Sequence, residues 1–140
     1  SLEEKIRDVG QEYGTTTGRA RRVGWIDLVQ LKLANQLNSF SEIILTKVDV
    51  LSGLENVKMC VGYNIDGKEH VGVPSDIYNF GKIEPLYETL PGWKSLPANI
   101  DSLDQCPDEL KNFISRLEQV ACVKVSLVSY GPDRNQTFKI

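Results

Sequence analysis

Apolar and polar positions alternate along this chain in short blocks of differing period, and those periods predict its elements. The opening SLEEKIRDVG reads as the end of a helix with Gly10 as its C-terminal stop, so the chain is expected to belong to something longer. Trp25, Leu28, Val29, Leu33, Leu37 and Phe40 recur at helical spacing, with Asp27 placed to cap the helix. The unbroken run Ile43-Ile44-Leu45 predicts a strand buried on both faces. The stretch from Asn56 to Pro74 predicts a β-hairpin turning at Asp66-Gly67, because two left-handed turn residues match the twist of paired strands. KIEPLYETLPGW predicts a further extended segment, interrupted by Pro85 and ended by Pro91-Gly92. Residues 94–106 show no period. CPDELKNFISRLEQVAC predicts a helix with Pro107 at its first turn, burying Leu110, Phe113, Ile114, Leu117, Val120 and Ala121. VKVSLVSYGPDR predicts a final strand running into a turn.

The mixture sets the fold class as α/β, with a mixed sheet, flanking helices and a β-hairpin. A length of 140 residues suits one domain with a real core. Hydrophobic residues make up 41% and charged residues 25%, ordinary values for a globular chain, and the net charge of −3 gives no general attraction to nucleic acid or anionic lipid. No apolar run approaches the roughly 18 residues needed to cross a bilayer. Cys60, Cys106 and Cys122 are odd in number and widely spaced, which argues against a disulfide framework or zinc site and for reduced thiols in a cytosolic setting. His70 follows the turn of the hairpin and reads as an edge histidine.

Candidate chemistry concentrates in three places. Between Gly14 and Arg22 the chain carries three threonines (Thr15, Thr16, Thr17), Gly18, and three arginines (Arg19, Arg21, Arg22). Guanidinium forks suit carboxylate and phosphate, and glycines permit close backbone approach, so this stretch reads as a loop for a small anionic ligand. A solvated basic loop and a nucleic-acid patch are the competing readings; the acidic chain disfavours the latter. The second place is TKVD at 46–49. The Asp49 carboxylate has the chemistry to accept both the ring N–H and the exocyclic amine of guanine, and to reject adenine. Lys47, two residues earlier in an extended chain, points to the same side and can lay its stem across a base. A solvated ion pair at a strand end competes. The third place is SYGPD at 129–133, where Ser129 and the backbone at Tyr130 and Gly131 can edge a base pocket, or simply form a turn.

EYGTTTGRARRVGWID, LNSFSEIILTKVDVLSGLENVKMCVGY, IEPLYETLPGW and LVSYGPDRNQT, in this order, resemble the carboxy-terminal part of the adenylosuccinate synthetases, over nearly the whole chain. Tyr130 stands where that family usually has a smaller residue. The resemblance implies part of a larger P-loop-like α/β enzyme that joins IMP to L-aspartate at the expense of GTP, as a magnesium-dependent cytoplasmic homodimer. It implies that Thr15, Thr16, Thr17, Gly18, Arg19 and Arg21 bind L-aspartate and IMP. By the same token Arg21, Lys47, Val48, Asp49, Ser129, Tyr130 and Gly131 would bind GTP. It implies no nucleic-acid or membrane partner. The family's phosphate loop, general base, general acid and magnesium ligands belong to its first part, so no catalytic residue is assigned here and residues 1–140 are expected to be inactive alone. The residues themselves leave a stand-alone guanine-nucleotide module as the alternative.

Overall fold

The computed structural model describes residues 1–75 and 82–140. Helix α1 (Leu2–Val9) is capped by Ser1 and Glu4 in a reciprocal capping box. Its stop differs from expectation: Gly10 stays right-handed (φ −77°), and the left-handed residue that turns the chain is Gln11 (φ 51°). A long irregular segment then leads to β1 (Ile26–Asp27) and α2 (Leu28–Asn38). Asp27 caps α2 as expected, accepting from the amides of Val29 and Gln30, both at 3.0 Å. The apolar stripe of α2 is shorter than its periodicity suggested. Leu28 and Val29 are buried, whereas Leu37 is 75% exposed and Phe40 lies beyond the helix.

Two sheets follow. In the first, β1 runs parallel to β3 (Asn56–Ile65), which pairs antiparallel with both β4 (Lys68–His70) and β5 (Glu84–Pro91). The hairpin turns at Asp66-Gly67, both with positive φ, as the two-residue loop requires. Its return strand is brief and leaves His70 exposed. Pro85 and Pro91 are tolerated because β5 is an edge strand. In the second sheet, β2 (Ile43–Leu45) lies parallel to β6 (Val125–Ser129), which pairs with β7 (Thr137–Lys139). Here the expectation of a strand buried on both faces is corrected: β2 is an edge strand and Ile44 is 61% exposed, so apolar composition alone overstated its burial.

Helix α3 (Asp108–Ala121) presents Leu110, Phe113, Ile114, Leu117 and Ala121 to the interior, matching its sequence period except at half-buried Val120. It packs on α2, and a bidentate pair from Arg116 to Glu88 ties it to β5. One core joins residues of both sheets and both helices, including Leu28, Met59, Trp93, Leu117 and Val128. The three cysteines are free thiols, Cys60 and Cys106 buried and Cys122 exposed. No helix among the described residues is long and apolar enough to cross a membrane.

Candidate functional site

Parallel pairing decides where the site forms. Leu45 stands opposite Val128, so the segments that leave β2 and β6 emerge side by side at the carboxyl edge. Thr46 and Ser129, far apart in sequence, thus begin the two segments that leave this edge, the place where open α/β sheets bind ligands.

The TKVD segment does not continue as extended chain. Lys47 is left-handed (φ 63°), and Val48–Leu51 form a 3-10 turn, so the expected same-side alternation of Lys47 and Asp49 is replaced by a turn geometry. The turn is held from below. Val48 is buried, and its carbonyl accepts the indole N–H of Trp93 at 3.2 Å. Trp93 is 1% exposed and meets Phe113 edge-on. It directly follows Gly92, where a Cβ would lie 2.1 Å from the Leu54 carbonyl oxygen; only glycine lets these two backbones approach so closely. The Asp49 side chain carries one buried oxygen, Oδ1, with no hydrogen-bond partner among the described residues. A buried carboxylate oxygen without a donor costs free energy and is ready to accept one.

On the neighbouring strand end, the Ser129 hydroxyl donates to the Gly131 carbonyl at 3.2 Å. Tyr130 turns away from the edge. Its ring packs beside Phe138, and its hydroxyl accepts from the Ile100 amide at 3.0 Å. Its amide donates to the Gln136 carbonyl at 2.9 Å. Gly131 is packed against the Gln136 side chain, 2.2 Å from where a Cβ would sit.

The threonine-arginine loop has a different build. A Tyr13–Ala20 bridge and the bonds Gly14 N–H to Arg19 carbonyl and Gly18 N–H to Gly14 carbonyl, each 2.8 Å, close it into a tight projection. Thr15, Thr16 and Thr17 form its tip, Gly18 is left-handed (φ 65°), and Arg19 lies exposed. Among the described residues the Arg19 guanidinium and the Thr15 and Thr16 hydroxyls make no hydrogen bond, whereas Thr17 accepts weakly from the Arg19 amide at 3.4 Å. The base of the loop is fixed. Arg21 pairs with Glu12 at 3.1 Å, and its carbonyl accepts from Arg7 Nε at 2.7 Å.

Glu12 links the regions. Its carboxylate also receives the Lys47 ammonium, which donates in addition to the Gly10 carbonyl at 2.8 Å. The Lys47 hydrogen bond, reinforced by Arg21, holds the Glu12 carboxyl below its ordinary range despite its partial burial. Glu12 was not among the residues singled out from the sequence; its signal was a lone acid two positions beyond a helix stop and beside an arginine cluster. Behind this node lies a cavity of about 420 Å³ lined by Glu12, Arg22, Trp25, Thr46, Lys47 and Lys58. The cavity also takes in Leu45, Val48, Val50 and Leu51 of the strand end and turn, while Asp49, Ser129 and Gly131 do not line it. No three His, Cys, Asp or Glu side chains converge among the described residues.

The fold is mixed α/β, with an unpartnered carboxylate oxygen in the turn after β2 and an exposed guanidinium on the threonine-arginine loop. The sequence profile of the adenylosuccinate synthetase family matches residues 1–138, and the chain belongs to that family. It is 44% identical to the adenylosuccinate synthetase of Listeria welshimeri over its whole length, covering 33% of that protein. It is likewise 44% identical to that of Trichlorobacter lovleyi over 98% of the chain and 32% of the relative. The structure of fully ligated adenylosuccinate synthetase from Plasmodium falciparum superposes with a TM-score of 0.92 at 33% identity, covering 99% of this chain and 34% of that one. The chain therefore spans about a third of the length of the relatives it matches.

Proposed function

We propose that this chain supplies the guanine pocket and the L-aspartate loop of an enzyme that ligates IMP and L-aspartate to adenylosuccinate, with release of GDP and phosphate, in AMP synthesis. The observation that carries the reading is the buried, unpartnered oxygen of Asp49 in the turn that leaves β2 at the carboxyl edge. Guanine offers two parallel N–H donors to that carboxylate, whereas adenine presents an acceptor there and is repelled. The Lys47 stem and the backbone of Val48, Ser129, Tyr130 and Gly131 frame the base. At the second region, Thr15, Thr16, Thr17, Gly18, Arg19 and Arg21 bind the two carboxylates of L-aspartate, with Arg19 also near IMP and Arg21 also near the GTP phosphates.

In this reading GTP gives its γ-phosphoryl group to the 6-oxygen of IMP, and the aspartate amine then displaces phosphate from that carbon. The chain's own residues bind and orient; closure of the threonine-arginine loop excludes water from the phosphorylated substrate. Proton transfer and magnesium binding fall to residues outside this chain, and the whole enzyme works as a cytoplasmic homodimer. The relatives' names favour an enzyme segment over a stand-alone guanine-nucleotide module.

The test is equilibrium binding of GDP and ADP to the full-length polypeptide carrying this chain, wild type beside Asp49→Asn. The substitution turns one acceptor into a donor, and loss of such a charged partner is worth about 10- to 150-fold in GDP affinity with ADP little changed. Equal binding of both nucleotides by the wild type, or GDP binding untouched by the substitution, would refute the base pocket.

A further inference from the structure

The guanine-facing turn and the threonine-arginine loop meet at one side chain. Glu12 accepts from Lys47 Nζ through one carboxylate oxygen and from Arg21 through the other, at 3.1 Å. The glutamate is the fixed member of this trio. Its amide donates to the Arg7 carbonyl and its carbonyl accepts from the Arg21 amide, both at 2.9 Å. Its side chain is 21% exposed, against 49% for Lys47 and 54% for Arg21. Arg21 spends one of its N–H donors on Glu12 and keeps the rest of its fork for an anion. Lys47 is held at its tip by two acceptors, the Gly10 carbonyl and the Glu12 carboxylate. The contacts thus orient both cations and leave them able to receive ligand.

We infer that Glu12 is a positioning residue that sets Lys47 and Arg21 together, so that the base-binding turn and the dicarboxylate-binding loop share one ion-paired node. The inference rests on the proposed function for the identity of the two ligands, and it adds a residue that touches neither. Removing the charge frees two flexible cations at once, and each ligand then bears the cost of ordering its own.

The experiment uses the full-length polypeptide, with Glu12→Gln, Glu12→Asp, Lys47→Met and the double variant Glu12→Gln/Lys47→Met. Equilibrium binding gives the GDP dissociation constant and steady-state kinetics the L-aspartate KM. Glu12→Gln should raise both constants about 5-fold, an ion-pair effect reduced by partial solvent exposure. Glu12→Asp, which keeps the charge, should recover most of each. In the Lys47→Met background the GDP effect of Glu12→Gln should shrink to the part carried by Arg21 at the phosphates, while its effect on L-aspartate persists in full; general loosening of the fold would not separate the two. A change below about twofold in either constant, no recovery by aspartate, or an undiminished GDP effect in the Lys47→Met background would overturn the inference. Asp49→Asn and Arg19→Ala serve as controls: if they respond as expected and Glu12→Gln does not, only the role of Glu12 is lost. If Asp49→Asn leaves GDP binding intact, the guanine reading itself is lost.

Discussion

The two halves of the candidate site are built on opposite plans. The turn after β2 is clamped: Val48 is buried, Trp93 reaches up from the core to its carbonyl, and the paired strands β2 and β6 hold its flank. The threonine-arginine loop is tied only at its base, with a tip of exposed hydroxyls and an exposed guanidinium. A base is a rigid plane whose recognition rewards an acceptor already in place. A small flexible dicarboxylate is better enclosed by a segment that moves onto it, at the cost of ordering that segment. On the proposed function, preorganisation would sit where the ligand is rigid, and freedom where the ligand must enter and be covered.

The largest test of this contrast is at Trp93. Trp93→Ala removes a fully buried ring and the donor to Val48, and should destabilise the fold by about 3–5 kcal/mol, measured by denaturant unfolding. In protein that remains folded at low temperature, GDP affinity should fall while the L-aspartate response through the loop is less affected. Equal loss of both would show the loop to be as dependent on the core as the turn. Arg19→Ala probes the other side. It should raise the L-aspartate KM by roughly 10-fold or more, with GDP binding changed by less than about twofold. A parallel fall in GDP binding would erase the distinction between the two regions.

The smallest effect concerns the frame they share. Arg116 holds the Glu88 carboxyl below its ordinary value of 4.5. A depressed carboxylate stabilises the folded state at pH above its unfolded pKa, and this contribution is lost as pH falls through the folded pKa. Stability should thus decline as pH is lowered below about 4.5, and Glu88→Gln should flatten part of that decline while costing less than about 1 kcal/mol at pH 7, given the pair's partial exposure. Glu12 carries the same sign, so both variants should be followed by unfolding at pH 7 and pH 4. A Glu88→Gln profile parallel to wild type would show that the pair is not coupled to folding.

Local chemistry was legible in the sequence wherever it was self-contained. The Asp27 cap, the Asp66-Gly67 turn and the buried face of α3 depend on nearest neighbours along the chain, and all three form as their residues dictate. The candidate residues of the loop and of the two strand ends could be picked out from sequence as short clusters of hydroxyls, guanidiniums and a carboxylate; their ligands remain those of the proposed function. Periodicity misled where burial depends on what lies alongside: Ile44 and Leu37 are apolar by composition and exposed by position. Three decisions belonged to the tertiary structure alone. Parallel pairing of β2 with β6 set the ends of the two strands side by side, Tyr130 turned its side chain inward, and the meeting of Glu12 with Lys47 and Arg21 joined the turn to the loop. Each rests on contacts between segments distant in sequence. Backbone propensity and side-chain period carry no information about such contacts, which are fixed only when the core closes around Trp93 and the paired strands.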